Sequence, residues 1–236
     1  MDRIIWMVLR NLLRVPGWFY HIVKMEREDT PYTEQERYDY IRRMVEVINV
    51  TGRVKVEVSG QENLPEKDGF IMFPNHQGLF DVLALIEACP HPFGVVIKKE
   101  AAGIILIKQV VRVLRGIAID RNDMKDSVKM IMQVTKEVKE GRNYVIFPEG
   151  TRSRNGNQIL PFKAGTFKCA VKAGCPVVPI ALIDSYRPFD ERGIARRTVQ
   201  VRFLPPVLPE QYAGKKTPEI ADLVHDRIQS EINANI

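Results

Sequence analysis

The sequence predicts an α/β protein: a mixed, largely buried sheet flanked by helices, preceded by an N-terminal amphipathic helical module. Two patterns predict it. Short apolar runs of strand length take turns with segments of helical period over most of the chain, and several of those runs are apolar on both faces, as strands covered on both sides are. The composition agrees, because 236 residues with 45% apolar and 27% charged side chains supply one sizeable core. We divide the chain into residues 1–52, a membrane-interface helical module, and residues 53–236, an α/β domain.

Ile4 to Val23 is mostly apolar, but Arg10 and Arg14 interrupt it and no small-residue cleavage site follows, so it does not read as a signal peptide. At about 100° per residue, Arg3, Arg10, Arg14, His21 and Lys24 fall within roughly one 80° sector. Ile4, Val8, Leu12, Val15, Phe19 and Ile22 lie away from it, and Trp6, Trp18 and Tyr20 suit a headgroup region. Centring each arginine in a bilayer would cost about 2.5 to 3.5 kcal/mol, so lying in the interface is preferred to spanning. The competing reading is a core-packing helix. Pro16-Gly17 predicts a kink or a break into two short helices. Thr33 and Glu36 then form a capping box ahead of Tyr38, Ile41, Val45 and Ile48 at helical spacing.

From Arg53 the period becomes two, with Val54, Val56 and Val58 alternating against charged residues as in a strand. Phe70–Phe73, Phe93–Ile97, Ile117–Ile119, Tyr144–Phe147 and Val177–Ile183 are strand-like, and helical patterns fall near 79–88, 103–114, 124–140 and 164–173. Gly141 suits the end of the third of these helices. Thr198 to Leu204 alternates as an edge strand would, Pro205, Pro206 and Pro209 stiffen a connector, and Thr217-Pro218-Glu219 opens a C-terminal amphipathic helix.

The chemical candidates sit where these strands end, the place where α/β sheets build sites. Phe73-Pro74-Asn75-His76-Gln77-Gly78-Leu79-Phe80-Asp81 carries a histidine and an aspartate five residues apart. On one continuous helix they would diverge by about 140°, so pairing requires His76 in a loop and Asp81 on the next helix. An aspartate accepting from one imidazole nitrogen leaves the other as a general base. The competing reading is a capping histidine beside an unrelated aspartate. A second block, Phe147-Pro148-Glu149-Gly150-Thr151-Arg152-Ser153-Arg154, combines a turn able to aim backbone N–H groups at an anion with Arg152, whose planar fork suits phosphate. Lys99, Arg121 and Lys163 follow other strands or turns. A base beside strand-end cations suggests a phosphorylated acceptor.

The asparagine-led H-x-x-x-x-D block, G-x-x-I-D-R, F-P-E-G-T-R-S and V-P-I occur in that order. With them the chain resembles a glycerolipid acyltransferase of the PlsC type over roughly residues 53–204. The resemblance implies the glycerolipid acyltransferase fold. It also implies acyl transfer from an acyl-CoA or acyl-carrier protein thioester to the 2-hydroxyl of lysophosphatidic acid, giving phosphatidic acid without metal or prosthetic group. It assigns catalysis to His76 and Asp81 and acceptor binding to Arg121, Glu149, Gly150, Thr151 and Arg152, with Lys99 and Lys163 as further phosphate partners. Many members have serine where this chain has Gly78, and a leucine commonly follows the Lys-Glu that here precedes Ala101. Ile104, Ile105, Leu106 and Ile107, with Val110, Val111 and Leu114, either wall an acyl tunnel or pack as core.

No apolar stretch reaches the roughly 18 residues of a membrane span, which excludes an integral multi-span protein. Cys89, Cys169 and Cys175 lack C-x-x-C spacing, so neither a disulfide framework nor a zinc ribbon is expected. A net charge of +6 fits an anionic membrane surface better than nucleic acid, for which no binding motif is present. The expected location is the cytoplasmic face of the cell membrane, peripheral or monotopic. The rival readings are an acyltransferase acting on glycerol-3-phosphate or another lysophospholipid, a lipid hydrolase, for which a G-x-S-x-G elbow is missing, and a non-catalytic lipid-binding protein.

Overall fold

The structure, a computed structural model, describes residues 2–27, 29–100, 107–120 and 123–236. Three helices come first: α1 (Asp2–Asn11), α2 (Val15–Met25) and α3 (Glu34–Thr51). The predicted break occurs at Leu12–Arg14, with Pro16 in the first turn of α2, where its missing N–H costs nothing. Thr33 caps α3 as expected: Glu36 N donates to Thr33 Oγ1 at 3.2 Å and Thr33 N donates to Glu36 Oε2 at 2.8 Å.

The α/β part runs β1 (Val54–Ser59), β2 (Ile71–Pro74), α4 (Asp81–Ala88), β3 (Phe93–Lys98), α5 (Ile107–Val113), β4 (Ile117–Ile119), α6 (Met124–Lys139) and β5 (Asn143–Val145). It continues through α7 (Lys168–Ala173), β6 (Val177–Ile183), α8 (Arg187–Asp190), β7 (Arg197–Phe203), α9 (Pro209–Tyr212) and α10 (Thr217–Asn233). Among the described residues seven strands form one mixed sheet in the order β1-β7-β6-β2-β5-β3-β4, in which only the β6–β7 pair is antiparallel. Alternate residues of β2 serve opposite layers: Met72 packs with the core under α1 to α5, and Ile71 and Phe73 with the core under α6, α7 and α10. Met7, Ile22 and Met25 of the first two helices belong to the former core, so these helices share their packing with the sheet.

Several expectations change. The strand near Thr198–Leu204 is not an edge, because β7 lies between β1 and β6. Its alternation, with Val199, Val201 and Phe203 buried, reflects a lightly covered outer face, where Arg202 meets Glu231 of α10 at 2.6 Å. The edges are β1 and β4. The strand near Tyr144–Phe147 is assigned over Asn143–Val145, although Ile146 N still donates to Met72 O at 3.0 Å. The helix expected at 103–114 is described from Ile107, and Ala101, Ile104, Ile105 and Leu106 lie outside the described residues. The 164–173 segment splits into a 3-10 turn and α7.

The basic stripe also loses its first member. Arg3 is 1% exposed and donates to the carbonyls of Pro188, Gly52 and Ala195 at 2.9, 2.6 and 2.6 Å, tying α1 to the sheet domain. Trp6 donates to Thr51 O and Trp18 leans on the core, so of the three headgroup candidates only Tyr20 is exposed. The break between α1 and α2 resets the helical phase and invalidates one continuous 100° projection. Solvent is met both by the other stripe members, Arg10, Arg14, His21 and Lys24, and by the apolar side chains Ile5, Val8, Leu9, Leu12, Leu13, Phe19 and Val23. Among the described residues no helix is long and apolar enough to cross a membrane.

Candidate active site

Strands β2, β5 and β3 are adjacent and parallel, so the segments leaving their carboxyl ends meet. His76 leaves β2, Glu149 leaves β5 and Lys99 leaves β3. The β2 loop is held by its own polar side chains. Asn75, fully buried, exchanges two hydrogen bonds with the backbone of Leu182 on β6, at 3.0 and 2.7 Å. Gln77 accepts from Ser185 N at 2.7 Å and donates to Asn157 at 2.8 Å, and Asn157 in turn bonds Asp184 through both main chain and side chain.

His76 stands in the loop and Asp81 opens α4, the arrangement that a pair five residues apart requires. The Asp81 carboxylate, fully buried, lies 2.7 Å from His76 Nδ1. It also accepts from the backbone N–H groups of Gln77 at 2.7 Å and Gly78 at 3.0 Å. An ionised carboxylate only accepts, so Nδ1 carries the proton and Nε2 presents its lone pair. Nε2 has no hydrogen-bond partner among the described residues, and the Phe147 ring covers the imidazole with centroids 4.2 Å apart. Gly78 approaches the backbone of Tyr186 so closely that a Cβ would stand 3.1 Å from its Cα. A side chain at this position would require the Tyr186 backbone to give way by a few tenths of an ångström.

Glu149 is 3% exposed and braces the same loop: His76 N donates to Oε1 at 2.7 Å and Leu160 N to Oε2 at 3.1 Å. Burial pushes its carboxyl up to about 7; the two N–H donors oppose that rise and the neighbouring Asp81 charge adds to it. Both oxygens of Glu149 are therefore occupied by backbone. Gly150 follows with φ 71°, a conformation that glycine adopts without cost, and Lys163 packs against it so that a Cβ would meet Nζ at 2.7 Å. Thr151 is exposed and Arg152 half-buried, and no ion pair holds the Arg152 guanidinium among the described residues. Lys99 is exposed at the end of β3, its N–H on Ile119 O at 2.9 Å. Arg121 lies outside the described residues.

The structure thus brings together His76, Asp81, Glu149, Gly150 and Lys163. Gln77, Asn157 and Asp184, which the sequence reading did not single out, complete the support. Gln77 sits inside the histidine block and was findable by position; Asn157 and Asp184 carry no local signal. The three cysteines are buried and free, and burial pushes each thiol up to about 12, so none is a ready nucleophile.

A proton acceptor oriented by a buried carboxylate at the strand ends of a mixed α/β sheet defines a proton-abstracting transferase or hydrolase. The chain belongs to the acyltransferase family, whose model matches residues 55–183, and it is an acyltransferase enzyme. It is 32% identical over 193 residues to the Homo sapiens 1-acyl-sn-glycerol-3-phosphate acyltransferase alpha, covering 80% of this chain and 68% of that protein. To the Escherichia coli 1-acyl-sn-glycerol-3-phosphate acyltransferase it is 30% identical over 169 residues, 71% of this chain and 69% of the relative. The solved 1-acyl-sn-glycerophosphate acyltransferase PlsC of Thermotoga maritima shares the fold, with TM-score 0.77 at 21% identity over 98% of this chain and 95% of that one.

Proposed function

We propose that this enzyme transfers an acyl chain from a thioester to the 2-hydroxyl of 1-acyl-sn-glycerol-3-phosphate, forming phosphatidic acid for phospholipid synthesis. The observation that carries this reading is the 2.7 Å contact between His76 Nδ1 and Asp81, which leaves Nε2 free to accept a proton. Nε2 takes the proton of the 2-hydroxyl as its oxygen attacks the thioester carbonyl. The tetrahedral intermediate collapses by breaking the carbon–sulfur bond, and the departing thiolate takes the proton back from the imidazolium. No acyl-enzyme forms, and no metal or prosthetic group is needed.

Asp81 steadies the transient imidazolium, and Glu149 is a positioning residue that fixes the backbone of His76. Arg152 and Arg121 hold the acceptor phosphate, with Thr151 and Gly150 shaping the turn and Lys99 and Lys163 adding positive field. The donor is acyl-CoA or acyl-carrier protein. The solvent-facing apolar side chains of α1 and α2, among them Leu13 at 96% exposure in the turn between them, support peripheral seating on an anionic membrane from its cytoplasmic face.

The test is phosphatidic acid formation by purified protein from lysophosphatidic acid with either thioester, beside His76→Ala. Product from the wild type and none from the variant is expected, and the faster thioester names the donor. Turnover only with glycerol-3-phosphate or another lysophospholipid would replace the acceptor; vesicle binding with no turnover on any acceptor would replace the reaction by lipid binding.

A further inference from the structure

At the end of the sheet opposite His76 lies a cleft of about 1170 Å³, between the end of α2, the starts of α3 and β5, the end of α5 and the side of α6. Among the described residues its walls carry six cations against three carboxylates. Glu137 pairs with Arg142 and Glu140 lies 3.9 Å from Lys136, whereas Glu26 meets Arg112 only at 3.8 Å and its buried Oε2 has no hydrogen-bond partner among the described residues. Arg142 also takes Glu34 at 3.0 Å.

Two arginines remain without an ion pair among the described residues, Arg37 and Arg115. Arg37 is only 3% exposed, and its one bond runs from Nε to Thr33 O at 3.3 Å, so its terminal nitrogens have no protein acceptor among the described residues. Burial, and then the nearby Arg115 charge, lower its affinity for a proton, with the Glu34 carboxylate opposing them. Arg115 is held at φ 49°, a left-handed conformation that disfavours a side chain, yet the position presents a guanidinium. A buried cation facing like charge across a cleft is costly unless an anion completes it.

We propose that this cleft binds a phosphate-bearing anion, a phosphomonoester or pyrophosphate group, through Arg37, Arg112 and Arg115. The guanidinium forks match tetrahedral phosphate oxygens, and the three line one cleft from α3, α5 and the turn after α5, Arg37 buried in its wall and Arg112 and Arg115 exposed to solvent. Binding would bridge α3 and α5 beside the end of α2, so the ligand links the N-terminal helices to the sheet and stabilises their docking by mass action. The site is separate from the acceptor site, because Arg115 and Arg142 precede strands β4 and β5 whereas His76 and Glu149 follow parallel strands of the same sheet.

The test uses the full chain carrying Arg152→Ala, which removes phosphate binding at the proposed acceptor site. Titration calorimetry with inorganic pyrophosphate is compared among that protein and the same protein with R115G or R112Q added. R115G deletes the cation while giving the left-handed position the residue that suits it, so its thermal midpoint without ligand should not fall. Each added substitution should weaken pyrophosphate about tenfold or more, the loss of one charge-assisted contact. A parallel flotation assay compares phosphatidylcholine vesicles doped with phosphatidic acid or with phosphatidylglycerol. Loss confined to phosphatidic acid identifies a lipid headgroup as the source, and loss in the calorimeter alone a soluble phosphate; either supports the site. Unchanged pyrophosphate affinity together with flotation that is unaffected, or reduced equally on both lipids, would overturn it.

Discussion

Where β2 and β5 end, Asp81 is met by an imidazole and two backbone N–H groups, and Glu149 by two more. Where β4 and β5 begin, Arg37 and Arg115 face a cleft with no ion pair of their own among the described residues. At the first end the buried carboxylates are answered within hydrogen-bond distance; at the second a buried arginine is left without an ion pair among the described residues. The first arrangement suits chemistry, where an atom must be in place before the substrate arrives, and the second suits capture of an anion, where the ligand itself supplies the missing partner.

The contrast breaks most sharply at His76. His76→Ala should lower kcat by about 10²–10⁴-fold while the protein stays folded, since it deletes the base and leaves the Asn75 and Gln77 anchors; near-normal turnover would remove the assigned base. Glu149→Gln tests how tightly that end is balanced. A carboxyl that titrates near 7 in the folded chain and near 4.5 unfolded is protonated in both states at low pH. As pH rises from 4.5 to 7 the unfolded chain ionises first, so the folded state loses about 3 kcal/mol across that window. Denaturant unfolding from about pH 4 to 8 should show wild type losing stability relative to the glutamine variant, and parallel curves would remove the ionisation cost.

A smaller effect is expected from Arg152→Ala: a rise of about tenfold or more in the acceptor KM with kcat largely kept, read from steady-state kinetics on lysophosphatidic acid. An unchanged KM would move phosphate recognition to another cation. The smallest belongs to neither end. Leu13→Gln, at a side chain 96% exposed, should weaken partition onto anionic vesicles several-fold without touching turnover on detergent-dispersed substrate. Equal partition would take α1 and α2 off the membrane.

The His76 site was legible because its chemistry is local: the loop-then-helix requirement follows from a spacing of five, and Thr33–Glu36 capping from a spacing of three. The fold class was legible from alternating periods. Strand order was not, since alternation in Thr198–Leu204 reports one lightly covered face and says nothing about which neighbours a strand has. Arg3 was misjudged because periodicity gives a helix face and not what the fold lays over it: Arg3 and Arg10 share one face of α1, yet Arg3 is buried against Gly52, Pro188 and Ala195 while Arg10 stays exposed. The cations of the second cleft are scattered from Arg27 to Arg142, and only the sheet gathers them.

Asn75 and Gln77 reach across to Leu182 and Ser185, more than a hundred residues later in the chain. A ribosome that has delivered the His76 loop has therefore not yet delivered what holds it, and the base has no fixed aim until β6 is made. Arg3 and Asp2 wait longer still, for Ala195 and Gly193. Synthesis order thus delays the catalyst: the His76 loop is fastened, and Arg3 and Asp2 meet their last partners, only once the chain has been made as far as residues 182–195.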